Sequence, residues 1–135
     1  MGIELAKDSI DLGIIVEDEA AALRFYRDTL GFDYQEAMTM PDGSVMHRML
    51  CGTSLIKVRK LKETPPTKGA PGPIGAATGY RYWTISVSNL DALVEQCRKA
   101  GYKVAVEPRE IRPGVRIAMV EDPEGNWVEF LQTAS

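Results

Sequence analysis

The sequence predicts an α+β fold in which one strand–helix–three-strand unit is used twice. Three observations predict it. Two amphipathic helical stretches, each closed by a glycine, lie about 70 residues apart. A β-branched run precedes each helix, and three extended runs follow it. Leu30-Gly31-Phe32 and Ala100-Gly101-Tyr102 stand at equivalent places, where each helix stops and extended chain resumes.

The first unit opens with Ile10 to Val16 as a strand. Asp18 then offers an N-cap for a helix over residues 19–30. Leu23, Tyr26 and Leu30 recur on one helical face, widened by Ala22 and Phe25. Three strands follow at about 33–40, 44–51 and 54–61. In the second unit Tyr82 to Val87 is the leading strand. Ser88-Asn89 begins a helix, and Ser88 with Asp91 has the spacing of a capping box. Leu90, Leu93, Val94 and Cys97 form its apolar face. Strands at about 102–107, 115–121 and 127–132 complete the unit. The last two are joined by Asp122-Pro123-Glu124-Gly125-Asn126, a sequence of turn residues: proline fixes φ, glycine permits positive φ, and Asp and Asn bond their own backbone.

Glu63 to Gly79 separates the units. It holds Pro65, Pro66, Pro71, Pro73 and four glycines and has no periodicity. It reads either as a spacer or as a flap over a pocket. The expected organisation is one domain over 1–135, with modules at 8–62 and 80–135 and this linker at 63–79.

Composition narrows the function. The 135 residues are 44% hydrophobic, enough for a core, and the net charge of −3 with no basic run argues against a nucleic-acid surface. No apolar stretch nears the ~18 residues of a membrane span, and the N-terminal residues lack an apolar signal core. A cytoplasmic protein is expected. Cys51 and Cys97 have no metal-ligand spacing and read as inert thiols. The single histidine, His47, rules out a multi-histidine metal site.

Two motifs carry a resemblance: Leu23-Arg24-Phe25-Tyr26-Arg27-Asp28-Thr29-Leu30-Gly31-Phe32 and Asp122-Pro123-Glu124-Gly125-Asn126-Trp127-Val128-Glu129-Phe130. With the duplicated unit they resemble the vicinal-oxygen-chelate superfamily, the glyoxalase, bleomycin-resistance and extradiol-dioxygenase group. The resemblance implies paired βαβββ modules whose curved mixed sheet encloses a cavity, and commonly a homodimer. It does not fix the activity, because that family contains metal-dependent enzymes and metal-free sequestering proteins.

Family enzymes that use a metal take ligands from the first and last strand of each module. Alignment on the motifs places Asp11, Lys57, Tyr82 and Glu129 there. Only Glu129 matches the pattern. Lys57 is an ammonium with no lone pair, and Tyr82 is a poor ligand unless ionised. No metal or other cofactor is expected. Lys57 lying between Asp11 and Glu129 would satisfy both carboxylates, as a structural ion-pair cluster or as a binding and acid–base cluster. In the second reading Lys57 polarises a carbonyl or holds an anion, Glu129 or Asp11 moves a proton, and Tyr82 donates a hydrogen bond.

Strand alternation adds Trp127, Thr84 and Ser86 to the Glu129 and Tyr82 face and Arg59 to the Lys57 face. His47 and Met119 are further candidates for the ligand pocket. Trp83, Tyr80 and Tyr34 are candidates for stacking, and Arg116 is expected to pair with a carboxylate. Two functions follow: a metal-independent isomerase- or lyase-type enzyme on a small organic molecule, or a non-catalytic protein that sequesters an antibiotic or toxin.

Overall fold

Residues 2–134 are described by a computed structural model. The chain forms two compact units, divided between Pro65 and Pro66. Each contains a four-stranded mixed sheet and one principal helix, so the α+β class with two βαβββ modules is observed.

In the first unit β1 (Leu12–Ile15) leads to helix α1 (Glu19–Leu23), then β2 (Asp33–Thr39), β3 (Val45–Cys51) and β4 (Ser54–Lys60). The sheet order is β1-β4-β3-β2; β1 runs parallel to β4 and the other neighbours are antiparallel. Asp18 caps α1 as its sequence position suggests, accepting the Ala21 N–H at 3.0 Å. The helix then widens over Arg24–Thr29 into π-type winding, in which the Leu30 N–H reaches the Phe25 carbonyl at 2.9 Å. Phe25 and Tyr26, both wholly buried, meet edge to face with ring centroids 4.7 Å apart. With Val16, Met49, Ile56 and Val58 they form the core on the helix side of this sheet.

In the second unit β5 (Tyr82–Ser86) leads to α2 (Leu90–Lys99), β6 (Val104–Arg112), β7 (Val115–Glu121) and β8 (Trp127–Thr133). The order is β5-β8-β7-β6, with β5 parallel to β8. Leu90, Val94 and Cys97 of α2 pack into the core with Ala118, Val120, Val128 and Phe130. Arg116 pairs with Asp91 of α2 through two bonds of 2.8 and 2.9 Å.

Two local expectations are corrected. The predicted Ser88–Asp91 capping box is not what caps α2. Asn89 occupies the cap position without a side-chain bond, and the Leu90 N–H is taken by Gln132 Oε1 in β8 at 2.9 Å. Asp91 turns to Arg116 instead. Strand β6 runs on to Arg112, beyond the expected 107, and carries Pro108 within it. It is an edge strand with register shifts between Val106 and Arg109, the setting in which a proline's missing N–H is tolerated.

Both cysteines are free. Burial pushes the Cys97 thiol from 9.0 up to about 11 and raises Cys51 as well. Native Cys97 should therefore resist iodoacetamide at pH 8, while the unfolded chain reacts at both thiols. Raising the pH ionises Cys97 first in the unfolded chain. Stability should hold below pH 9 and fall by about 2 kcal/mol as the pH climbs towards 11. A urea series across that range, compared with Cys97→Ala, checks it; identical pH dependence in the two proteins would refute it.

No helix among the described residues is long and apolar enough to cross a membrane.

Candidate functional site

The second module's sheet has one face covered by α2 and one turned away from it. Tyr82 lies beside Trp127, Thr84 beside Glu129 and Ser86 beside Leu131 in the parallel β5–β8 pair. Across the antiparallel β7–β8 pair, Met119 is opposite Glu129 and Glu121 is opposite Trp127. Alternation places all of these on the face away from α2, because Val128, Phe130 and Gln132 between them point to the helix. The structure thus brings Glu129, Tyr82, Thr84, Ser86, Trp127 and Met119 onto one surface.

Glu129 is its chemical centre. The side chain is half-buried, and its Oε1 accepts the Thr84 hydroxyl at 2.7 Å. No other protein donor to this carboxylate occurs among the described residues, so Oε2 keeps its lone pairs for a ligand. Trp127 and Met119, both nearly buried, supply apolar surroundings. Tyr82 is about 47% exposed, and its hydroxyl makes no hydrogen bond among the described residues. This is a carboxylate oriented by a short hydrogen bond beside an aromatic wall, an arrangement able to accept a proton from a bound organic molecule.

Trp127 is itself held in place. Its indole Nε1–H donates to Glu121 Oε2 at 3.2 Å, and the ring packs so closely on Gly72 that a β-carbon there would lie 2.0 Å from it. The turn before it is built as its sequence predicts. Asp122, 4% exposed, accepts the N–H groups of Glu124 and Asn126 on Oδ1 and the Asn126 amide on Oδ2, and Gly125 takes φ 89°.

In the first module the face away from α1 carries Asp11, Gly13, Lys57 and Arg59. Gly13 is the direct neighbour of Lys57, and Asp11 lies one strand alternation earlier. Lys57 is half-buried and makes no hydrogen bond or ion pair among the described residues, although its charge also acts on Asp11. The expected Asp11–Lys57 ion pair is not formed. Asp11 Oδ1 is taken by Lys7 Nζ at 2.6 Å and by the Leu55 N–H at 2.9 Å, and these bonds hold its carboxyl below the usual range. The register explains this: Asp11 lies at the end of β4 where Leu55, not Lys57, presents its backbone. Arg59 is also engaged, with Asp42 at 2.7 Å and Ser44 at 2.9 Å.

His47 departs from its expected role in the pocket. Its strand neighbours are Val58 and Ala37, and it shares the helix-facing side with Met49. It is 9% exposed. The Tyr34 hydroxyl lies 2.9 Å from Nδ1, and Glu19 Oε2 lies 2.6 Å from Nε2. These partners fit a ring that accepts from the tyrosine and donates to the carboxylate. His47→Ala should cost about 1–3 kcal/mol in urea denaturation by leaving Tyr34 and Glu19 unpaired; a loss below about 0.5 kcal/mol would contradict it. The stacking candidates disperse too. Tyr34 serves His47, Tyr80 is fully exposed, and Trp83 points to the helix side of its sheet.

Three of the four positions that the resemblance marks for metal ligands, Glu129 being the exception, carry side chains that do not suit a divalent cation. Lys57 offers no lone pair, Asp11 is occupied by Lys7 and Leu55, and Tyr82 is a phenol. Among the described residues no three His, Cys, Asp or Glu side chains converge as a metal cluster.

One feature escaped the sequence reading. Arg81 donates to the carbonyls of Ala70 (2.8 Å), Pro71 (2.8 Å), Pro73 (2.9 Å) and Ile74 (3.2 Å), fixing part of the Pro/Gly-rich linker. The signal was present: prolines add carbonyl acceptors without adding donors, so such a segment needs an outside donor.

Comparison with known proteins agrees with this architecture. Residues 9–130 match the model of the Glyoxalase/Bleomycin resistance protein/Dioxygenase superfamily. A probable lactoylglutathione lyase from Synechocystis is 28% identical over 123 residues, covering 90% of this chain and 92% of that protein. A glyoxalase family protein from Bacillus cereus superposes with a TM-score of 0.82 at 19% identity, covering 98% of this chain and 97% of the other. The trypanothione-dependent glyoxalase I of Leishmania major gives 0.69 at 20% identity, over 94% and 87% of the two chains. With a family match across most of its length and the duplicated βαβββ unit in its structure, the chain belongs to the Glyoxalase/Bleomycin resistance protein/Dioxygenase superfamily.

Proposed function

We propose that the protein is a lyase- or isomerase-type enzyme acting on a small organic carbonyl compound, with Glu129 as the group that moves the proton. The observation that carries this reading is the Glu129 carboxylate, held by Thr84 at 2.7 Å with one oxygen left for a ligand. Thr84 donates to Oε1 and fixes the carboxylate plane. Oε2 then takes a proton from carbon next to a carbonyl and can return it to a neighbouring atom. Tyr82, exposed on the same face, donates to the carbonyl oxygen as charge develops there. Trp127, Met119 and Ser86 bind the body of the molecule. Asp11 is left out of the proton transfer, because Lys7 and Leu55 already occupy it.

The name of the Synechocystis relative supports a lyase and supplies a first compound to try. Lactoylglutathione, followed by loss of its thioester absorbance, heads a screen that continues through aromatic and polyketide-like carbonyl compounds. Turnover that exceeds one equivalent per chain supports the reading. The second reading, a sequestering protein, is favoured by the buried aromatic and methionine surface around Glu129. Tight binding of such a compound with no turnover would replace the first reading with the second.

A further inference from the structure

The linker is more than a spacer in the second unit. Its stretch from Ala70 to Ile74 makes little regular structure of its own, yet it is tied down at three places. Arg81 gathers four of its carbonyls with one guanidinium. The Gly72 N–H reaches the Gly125 carbonyl at 3.4 Å, tying the stretch to the Asp122–Asn126 turn. Gly72 itself lies flat on the Trp127 indole, where any side chain would collide with the ring. Gly125 is matched to the same stretch, since a β-carbon there would stand 3.0 Å from Pro71.

We propose that residues 70–74 are a strap that holds Trp127 as a fixed wall beside Glu129, and that Arg81 is the positioning residue that keeps the strap closed. The proposal rests on the reading of Glu129 as the site. The physical argument is one of donors and acceptors. A segment with Pro71 and Pro73 has few N–H groups with which to build its own ladder. Its carbonyls must find donors elsewhere, and a planar guanidinium presents five in a fixed fork. Lysine, with a point charge and three mobile donors, does not replace that geometry. Removing the guanidinium leaves the Ala70, Pro71 and Ile74 carbonyls to water, and the strap is then held by the Gly72–Gly125 bond, the Ala76 N–H on the Pro73 carbonyl at 3.1 Å and its contacts with the indole and Gly125.

The consequence for the site is indirect. Trp127 stands one alternation from Glu129 on β8, so its ring forms the edge of the surface a ligand meets. Closed, the strap presses the ring from one side while Glu121 holds its N–H. Open, the ring gains freedom and that edge becomes wet.

Tryptophan fluorescence reads this directly. In a Trp83→Phe background Trp127 is the sole tryptophan of the chain. Arg81→Gln should then raise acrylamide quenching of Trp127 by about threefold or more, because charge-assisted bonds to the strap are lost. Arg81→Lys should behave in the same direction, and it keeps the charge should the glutamine variant fail to fold. Gly72→Ala completes the test. With Arg81 present, the added methyl has to displace the indole and should shift the emission of Trp127. With Arg81→Gln, the loosened strap can move aside, and the same substitution should shift the emission little. Unchanged quenching in both Arg81 variants, or a Gly72→Ala shift that is the same in both backgrounds, would overturn the proposal. Failure of the enzymatic reading is separable: if Glu129→Gln leaves every activity unchanged while the fluorescence results hold, the strap stands and the role given to Glu129 falls.

Discussion

Glu129→Gln should lower kcat by about 10²–10⁴-fold while changing KM less than about threefold. The substitution keeps the shape of the side chain. Its carbonyl oxygen can still accept the Thr84 hydroxyl, so the 2.7 Å contact that orients the group survives. What is lost is the charge and the capacity to take a proton, because a carboxamide is not a base at neutral pH. An effect confined to kcat therefore marks proton transfer, whereas an effect confined to KM marks binding only. Steady-state kinetics on a compound turned over by the native protein makes the distinction. A variant with native kcat would remove Glu129 from the chemistry. Thr84→Val gives a useful companion, since it removes the orienting bond and leaves the carboxylate; its loss should be smaller than that of Glu129→Gln.

Asp122→Ala is expected to be the most damaging single change to stability outside the apolar core, at about 2–4 kcal/mol. One buried carboxylate serves the Glu124 and Asn126 backbone N–H groups and the Asn126 side chain. Alanine leaves all three donors without that partner. Asp122→Asn should recover much of the loss, because its carbonyl oxygen can replace Oδ1 at both backbone groups. Only the contact with the Asn126 amide becomes donor against donor. Urea unfolding of the three proteins orders them as native, Asn, Ala. An alanine variant within about 0.5 kcal/mol of native would show that water replaces the carboxylate at no cost.

Local chemistry was the most legible part of the sequence. Asp18 before an apolar helical face, Gly31 and Gly101 after each helix, and the Asp122–Asn126 turn all act within a few residues, and all are found as read. The strand faces also followed from alternation once the Glu129 strand was placed. Partners far apart in sequence were hidden. Gln132 caps a helix that begins 42 residues earlier, and no local pattern marks it out. Asp11 and Lys57 were grouped because alignment on the motifs places both at the family's ligand positions, yet their pairing depended on a register that placed Leu55 and Lys7 at the carboxylate instead. His47 was readable in part: Val45 and Met49 alternate with it, which already points to the core face. The π-type winding over Arg24–Thr29 has no signal in residue identity that separates it from an ordinary helical turn.

The cap that Gln132 gives to α2 has a bearing on the order in which the second module can form during synthesis. Strand β5 leaves the ribosome early but pairs in parallel with β8, the last strand of its module, and the first free N–H of α2 waits for the same strand. Until β8 has emerged, the nascent segment carries an uncapped helix and an unpaired leading strand. In the first module β1 likewise waits for β4, but α1 carries its own cap at Asp18 and does not wait for that strand. Vectorial synthesis should thus present a finished first sheet beside a second one that closes all at once, and late, when its last strand arrives.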